Sequence, residues 1–97
     1  MTATRATAKR KGTRNEHRSR LILEAAGYLV TRAAGSLGDW DLIGFGPTGA
    51  VACQVKTRDW PSQAEWERLS AFPRWPYLTK LVHRWRDRQR WPDVREL

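Results

Sequence analysis

Two short apolar runs separated by a tight turn constrain the fold of this chain more than any other feature. Residues 41–45 (DLIGF) and 50–56 (AVACQVK) each have the composition of a strand, and residues 46–49 (GPTG) between them are a strong turn signal. Strands joined by so short a turn pair antiparallel. The sequence therefore predicts a β-hairpin in the middle of the chain.

The segment before the hairpin is predicted as a helix followed by a strand. Helical spacing favours a helix over residues 14–26, and Gly27 stands where helices commonly end. Residues 28–33 (YLVTRA) have the β-branched and aromatic composition of a strand. The apolar side of the helix is predicted to consist of Leu21, Ile22, Ala25 and Ala26.

The segment after the hairpin completes an α/β pattern. Ser62 and Glu65 have the spacing of a capping box, so a second helix is predicted to begin at Ser62 and to end before Pro73. Residues 77–85 and 93–97 are predicted as strands. The order is therefore α-β-β-β-α-β-β, which predicts a mixed β-sheet flanked by helices.

The charge balance indicates a polyanionic partner. The 97 residues contain 18 Lys+Arg and 10 Asp+Glu, which gives a formal net charge of +8. The excess is concentrated in residues 1–20 and 80–97, as is typical of proteins that bind nucleic acid. Residues 1–10 are small, polar and basic, and we interpret them either as a flexible arm along phosphates or as a solvated terminus. Residues 11–97 are predicted as a single domain.

Several classes of protein are excluded by features that the sequence does not have. No stretch approaches the roughly 18 apolar residues of a membrane-spanning helix, and no apolar region follows the basic N-terminus as in a secretory signal. The single cysteine, Cys53, excludes an internal disulfide framework and a cysteine-rich zinc site. We therefore expect a cytoplasmic protein with no membrane partner and no small-molecule cofactor.

Tryptophan is unusually frequent, and its role has three interpretations. A small domain gains much buried area from each large aromatic side chain, so core packing is favoured. Contact between subunits and stacking on unpaired bases are the alternatives. The six residues are Trp40, Trp60, Trp66, Trp75, Trp85 and Trp91.

The hairpin carries the candidate chemistry. Because side chains alternate along a strand, Gln54 and Lys56 share one face and Cys53 points to the other. Pairing across the turn brings Asp41 close to Gln54, so a carboxylate, an amide oxygen and an ammonium group meet at one edge of the sheet. Oxygen ligands of this kind hold Mg²⁺, and a lysine can orient the attacking water. Charged residues are also common at strand ends, so the pattern alone is compatible with Asp41 and Lys56 having no catalytic role.

Four blocks of sequence, taken with their order and spacing, carry a family resemblance. They are residues 11–16 (KGTRNE), 30–36 (VTRAAGS), 41–44 (DLIG) and 54–56 (QVK). The chain resembles the archaeal Holliday junction resolvases (Hjc type) of the PD-(D/E)XK nuclease superfamily over about residues 9–85. A chain this small without an accessory domain also fits a viral or other mobile-element member.

The resemblance implies a restriction-endonuclease-like fold and an active site. By correspondence with the family motifs, Glu16, Asp41 and Gln54 hold Mg²⁺, for which Mn²⁺ can substitute. Lys56 assists the attacking water, and Ser36 lies near the scissile phosphate. The family's members are two-fold homodimers that resolve four-way DNA junctions by paired symmetric nicks, which serves recombination and repair.

The resemblance and the charge pattern together also suggest residues that hold branched DNA. Arg32 corresponds to a strand arginine that the family needs for junction binding or cleavage, and Arg58 falls where the family places basic residues against DNA. The predicted N-terminal contacts are Lys9, Arg10, Lys11 and Arg14.

Gln54 departs from the family pattern. The family usually has glutamate there, so the proposed metal site loses one negative charge, and Trp40 replaces the proline of the motif. The loss of charge makes a non-catalytic DNA-binding relative one alternative. A nuclease for another branched or duplex DNA substrate is a separate alternative.

A structural role is the expectation or the alternative for several polar residues. Asp39 is not predicted as a ligand, because the strand that begins at Asp41 matches the family. Glu16 could instead form a helical ion pair with Arg20. His17 and His83 have no partner at zinc spacing, and we expect them on the surface or partly packed.

Overall fold

Within the described residues, seven elements follow one another in the predicted order. The computed structural model describes residues 5–33 and 38–97 and, within these, the side chains from residue 10 onward. The elements are α1 (Arg5–Ala25), β1 (Leu29–Arg32), β2 (Leu42–Gly46), β3 (Gly49–Thr57), α2 (Gln63–Ala71), β4 (Leu78–Trp85) and β5 (Asp93–Glu96).

The five strands form one mixed sheet in the order β1-β2-β3-β4-β5, so β1 and β5 are its edges. β1–β2, β2–β3 and β4–β5 pair antiparallel, whereas β3 and β4 pair parallel. A parallel pair needs a crossover connection, and the segment containing α2 supplies it. The predicted α/β fold with a mixed sheet is confirmed, as is the hairpin.

The sheet buries apolar side chains on both faces. Alternation along β3 sends Val51 and Cys53 toward α1, where they pack with Leu23. The residue between them, Ala52, points the other way and packs with Leu69 of α2. The predicted position of Cys53 in the core is confirmed.

α1 begins earlier than predicted. It starts at Arg5 instead of residue 14, so residues 5–10 of the predicted arm have a helical backbone, and Lys9 lies within this helix. Alanine, arginine and lysine are strong helix formers, whereas the prediction relied on apolar periodicity, which this segment lacks. Neither α1 nor α2, the helices in the described part of the chain, is long and apolar enough to cross a membrane.

The buried side of α1 also differs from the prediction. Asn15, Ser19 and Leu23, spaced four residues apart, are buried, whereas Leu21 is 51% exposed. Ala25 and Ala26 are exposed as well. The prediction failed because it counted apolar residues alone, and two of the buried positions are polar residues that find hydrogen-bond partners on the sheet.

Ser19 joins α1 to β4 through two buried side chains. Its Oγ lies 2.9 Å from Nδ1 of His83 and accepts a 2.9 Å hydrogen bond from Nε1 of Trp85. Burial lowers the pKa of His83 to about 4, so the ring that contacts Ser19 is neutral at physiological pH. His83 is thus fully buried, contrary to the expectation of a surface or partly packed residue.

α2 is fixed at both ends by polar contacts. The predicted capping box is present, with the Ser62 side chain accepting from the Glu65 backbone and the Glu65 side chain accepting from the Ser62 backbone. At the other end the buried Nζ of Lys80 donates to the carbonyl oxygens of Leu69 and Phe72 at 3.0 and 2.9 Å. These bonds satisfy carbonyl groups that a helix end leaves unpaired.

The tryptophans divide by position. Trp40 and Trp85 are buried in the core, while Trp75 and Trp91 are exposed. Trp60 and Trp66 are half-buried, 6.3 Å apart, and the Arg95 guanidinium lies over both rings. Core packing therefore accounts for Trp40 and Trp85, whereas Trp75 and Trp91 are accessible to a partner.

We expect the folded protein to lose stability between about pH 6.5 and pH 4 because of His83. The unfolded chain takes up a proton near an ordinary histidine pKa of about 6.5, whereas the folded state resists protonation down to about 4. Between pH 7.5 and 5.0 the loss is about 2 kcal/mol of unfolding free energy. Urea unfolding of the wild type and of His83→Gln at both pH values measures it; an equal pH dependence in both proteins would contradict this assignment.

Candidate functional site

Asp41 lies at the end of the hairpin opposite the turn. Its backbone N–H donates to the Cys53 carbonyl at 3.0 Å, and its own carbonyl accepts from Ala33 at 2.9 Å. Its carboxylate oxygen Oδ2 accepts a 2.7 Å hydrogen bond from the backbone N–H of Val55. The expectation that Asp41 lies beside the Gln54–Lys56 end of β3 is confirmed.

The environment of Asp41 disfavours its negative charge. Burial raises the pKa of the Asp41 carboxyl, and the nearby charge of Glu16 raises it further. The Val55 hydrogen bond and the positive charges of Lys56 and Arg32 act in the opposite direction. A half-buried carboxylate with a second carboxylate nearby is the kind of group that a bound cation stabilises.

α1 brings Glu16 to this end of the sheet. The buried amide of Asn15 donates to Oγ1 of Thr57 at 2.9 Å, which ties α1 to the end of β3. The neighbouring Glu16 carboxylate lies 3.5 Å from Nη2 of Arg32. Arg20 forms its helical ion pair with Glu24, at 3.6 Å. The alternative in which Glu16 pairs with Arg20 is therefore not the contact that the described residues make.

Gln54 and Lys56 reach the other side of the sheet, where they meet Glu65. Nε2 of Gln54 donates to Glu65 Oε2 at 3.4 Å, and Nζ of Lys56 lies 3.2 Å from the same oxygen. The hydrogen bond from the Ser62 backbone, and next the bond from Lys56, hold the pKa of Glu65 below its usual value. The side chains that alternation places on one face therefore converge on one carboxylate.

The oxygen of the Gln54 amide supports a cation in this site. Oε1 is buried and has no hydrogen-bond partner among the described residues. A buried polar atom without a partner is unfavourable, and a divalent cation that accepts oxygen ligands would satisfy it. Two carboxylates, Glu16 and Asp41, are close enough for their charges to interact, and the Gln54 amide on the α2 side would be the third oxygen ligand. Within residues 5–33 and 38–97, no cluster of three His, Cys, Asp or Glu side chains could hold a metal ion.

Ser36 and Asp39 complete the set of residues that the sequence analysis considered for this site. Ser36 lies outside the described residues. The Asp39 carboxylate accepts hydrogen bonds from Nε and Nη2 of Arg68 at 2.8 and 3.1 Å. These bonds give Asp39 a structural role, and its absence from the metal site stays a prediction.

The predicted DNA-binding residues border the same end of the sheet. Lys11 and Arg58 line one cleft of about 430 Å³ together with Trp85 and Arg86. The Arg58 backbone has a φ of 76° and donates to the Trp85 carbonyl, so the turn after β3 holds this residue in a left-handed conformation. The remaining predicted contacts with described side chains, Arg10, Arg14 and Arg32, are all exposed.

Sequence reasoning missed three polar residues at this end. The sequence predicts Glu65 only as a capping residue, but Glu65 also contacts both polar side chains of β3. Asn15 belongs to a family-like block, but its contact with the Thr57 hydroxyl 42 residues away has no local signal. Arg86 lines the cleft, whereas the sequence shows it only as part of the basic C-terminal segment.

Comparison with known proteins supports the fold. The solved structure of Archaeoglobus fulgidus Hjc, described as a Holliday junction resolvase from an archaeal hyperthermophile, is similar to this chain with a TM-score of 0.66 and 27% sequence identity. The similarity covers 90% of this chain and 71% of that one. No protein-family model matches the chain, and no curated protein matches it. The chain therefore has an Hjc-like fold.

We expect Mg²⁺ to raise the unfolding temperature of the protein through Asp41. A ligand that binds only the folded state at ten times its dissociation constant stabilises that state by about 1.4 kcal/mol. Thermal unfolding with MgCl₂, against NaCl of equal ionic strength, measures the effect. Asp41→Ala should remove the magnesium-dependent shift, and Asp39→Ala should keep it. Equal shifts in both variants would place the cation elsewhere.

Proposed function

We propose that this protein is a divalent-metal-dependent endonuclease that resolves four-way DNA junctions by paired symmetric nicks. The observation that carries the proposal is the Hjc-like fold with Asp41, Gln54 and Lys56 at one end of the hairpin and Glu16 beside them. The +8 net charge suits a DNA substrate. Recombination and DNA repair are the processes that such an activity serves.

Each residue of the site has a distinct part in the proposed reaction. Glu16, Asp41 and Gln54 would hold Mg²⁺ or Mn²⁺, which when bound polarises the phosphate and lowers the pKa of a bound water. The Lys56 ammonium is placed by Glu65 and would orient the water or offset developing charge. Ser36 keeps its predicted place near the scissile phosphate as part of this proposal.

Basic residues around the site would hold the DNA backbone. Arg32 stands beside Glu16, while Lys11 and Arg58 line the cleft. Phosphate contacts of this kind position a protein without reading sequence, so selectivity would come from the shape of the junction. The other proposed contacts are Lys9, Arg10 and Arg14.

A two-fold homodimer completes the proposal, because two sites related by a two-fold axis suit the symmetry of a four-way junction. Exposed apolar side chains are available for such a contact. Leu29 and Phe45 are paired neighbours on β1 and β2, and Trp75 stacks on Tyr77 at a ring distance of 5.8 Å. Sedimentation of the protein at micromolar concentration tests this part of the proposal, and a monomer would contradict it.

A second candidate function is junction binding without cleavage. Gln54 favours it, because a neutral amide binds Mg²⁺ more weakly than a carboxylate does. The fold and the basic residues are the same in both candidates. They differ in whether two carboxylates and one amide suffice for catalysis. A third possibility, cleavage of other branched or duplex DNA, differs only in substrate.

We expect the protein to nick a labelled four-way junction at symmetric positions when Mg²⁺ is present. Removal of a metal-binding carboxylate should lower the rate by orders of magnitude, so Asp41→Ala should leave no detectable cleavage. Asp39→Ala is the matched control, because Asp39 lies two residues away and pairs with Arg68. Denaturing electrophoresis of strands labelled one at a time measures the nicks.

The same experiment separates the three functions. Tight junction binding with no nicking in either Mg²⁺ or Mn²⁺ would replace the nuclease with the binding protein. Equal cleavage of the junction and of a linear duplex with the same sequence would replace junction selectivity with a broader nuclease activity.

We expect junction affinity to fall steeply with salt. Each phosphate contact contributes about −0.9 to the slope of log affinity against log salt concentration, so Arg58→Ala should make the slope about one unit shallower. Arg74→Ala is the matched control, because Arg74 is also exposed but lies before β4, at the opposite end of the sheet. Fluorescence anisotropy from 50 to 300 mM salt measures both, and equal slopes would remove Arg58 from the interface.

A further inference from the structure

We propose that Glu65 is a positioning residue that aims the Gln54 amide oxygen at the bound metal ion and holds Lys56 beside it. The inference rests on the proposed metal site and assigns it a residue from α2. Glu65 contacts neither Asp41 nor Glu16 in the hydrogen bonds and ion pairs found among the described residues. It acts through the two side chains of β3 that reach it.

The chemistry of the contact decides which way the amide faces. An ionised carboxylate has no proton to donate, so only the NH₂ group of Gln54 can bond to Glu65. Nε2 does so at 3.4 Å, and Oε1 is consequently turned away from Glu65. There it is buried and has no partner within the described part of the chain. Without the carboxylate, neither orientation of the amide would be enforced.

Glu65 is itself held in place. Its Oε1 accepts from the Ser62 backbone N–H at 3.2 Å, as the third residue of a capped helix. The buried Leu69 anchors the same helix against the sheet. A carboxylate fixed at a helix N-terminus is also favoured by the helix dipole. The Glu65 carboxylate is therefore held in one position, and the side chains of Gln54 and Lys56 bind to it.

The arrangement gives a physical reason for a neutral residue at position 54. A carboxylate in place of Gln54 would stand about 3.4 Å from the Glu65 carboxylate, and the Lys56 ammonium beside Glu65 would face two negative charges. Gln54 and Glu65 instead form a matched amide–carboxylate pair. Exchanging the two residues would preserve one amide and one carboxylate, whereas changing Glu65 alone would break the pair.

The test measures Mn²⁺ affinity by electron paramagnetic resonance of the free ion, with no DNA present. Glu65→Gln keeps the fold, because glutamine at this position also completes a capping box. Outer-shell partners of metal ligands contribute about 10- to 100-fold in affinity, so Glu65→Gln should weaken Mn²⁺ binding about tenfold or more. The exchanged variant Gln54→Glu/Glu65→Gln should bind at least as tightly as the wild type.

Ser62→Ala is the control for helix stability. It removes the side-chain cap but keeps the backbone N–H that holds Glu65, so α2 is weakened while the carboxylate remains. We expect Mn²⁺ affinity within twofold of the wild type. A loss equal to that of Glu65→Gln would assign the effect to the helix and overturn the inference.

Mn²⁺ binding by the variants separates the positioning role of Glu65 from the existence of the metal site. Mn²⁺ binding that is lost in Asp41→Ala but unchanged in Glu65→Gln would overturn the positioning role alone. An exchanged variant that binds no better than Glu65→Gln would do the same. Wild-type protein that binds no Mn²⁺ would overturn the metal site, and the positioning role with it.

Discussion

The rest of the structure depends on β3 being buried on both faces and hydrogen-bonded on both edges. Because a strand alternates, each of its residues is committed to one face, and a shift of one position would exchange core and site. Val51 and Cys53 belong to the α1 face, whereas Gln54 and Lys56 lie on the side of α2. One register thus determines both the packing of the core and which polar groups meet at the end of the sheet.

The sequence predicts the fold well because its main signals are local. The turn between β2 and β3 and the capping box of α2 each lie within a few residues, and both are found as predicted. The docking of α1 is different, since its buried side includes Ser19. That position is favourable only because His83 and Trp85 supply partners from more than 60 residues away. Apolar periodicity carries no information on such a contact.

The candidate site divides in the same way. The proximity of Asp41 to the end of β3 follows from hairpin pairing, so pattern alone suffices for it. The contact with Glu65 depends on where α2 packs within the crossover between β3 and β4. No local sequence pattern determines that position. Glu65 was visible in the sequence as a capping residue, yet one side chain can complete a cap and hold two neighbours at once. Its second role required the tertiary structure.

The lengths of the edge strands bear on how copies of this chain can associate. β1 and β5 have four residues each and include Arg32, Asp93 and Arg95. Short, charged edges are poor templates for another strand, so they oppose the growth of a continuous intermolecular sheet and the fibrous aggregation that follows from it. In the proposed homodimer, the two copies would therefore meet through exposed side chains such as Leu29 and Phe45, which lie on one face of the sheet.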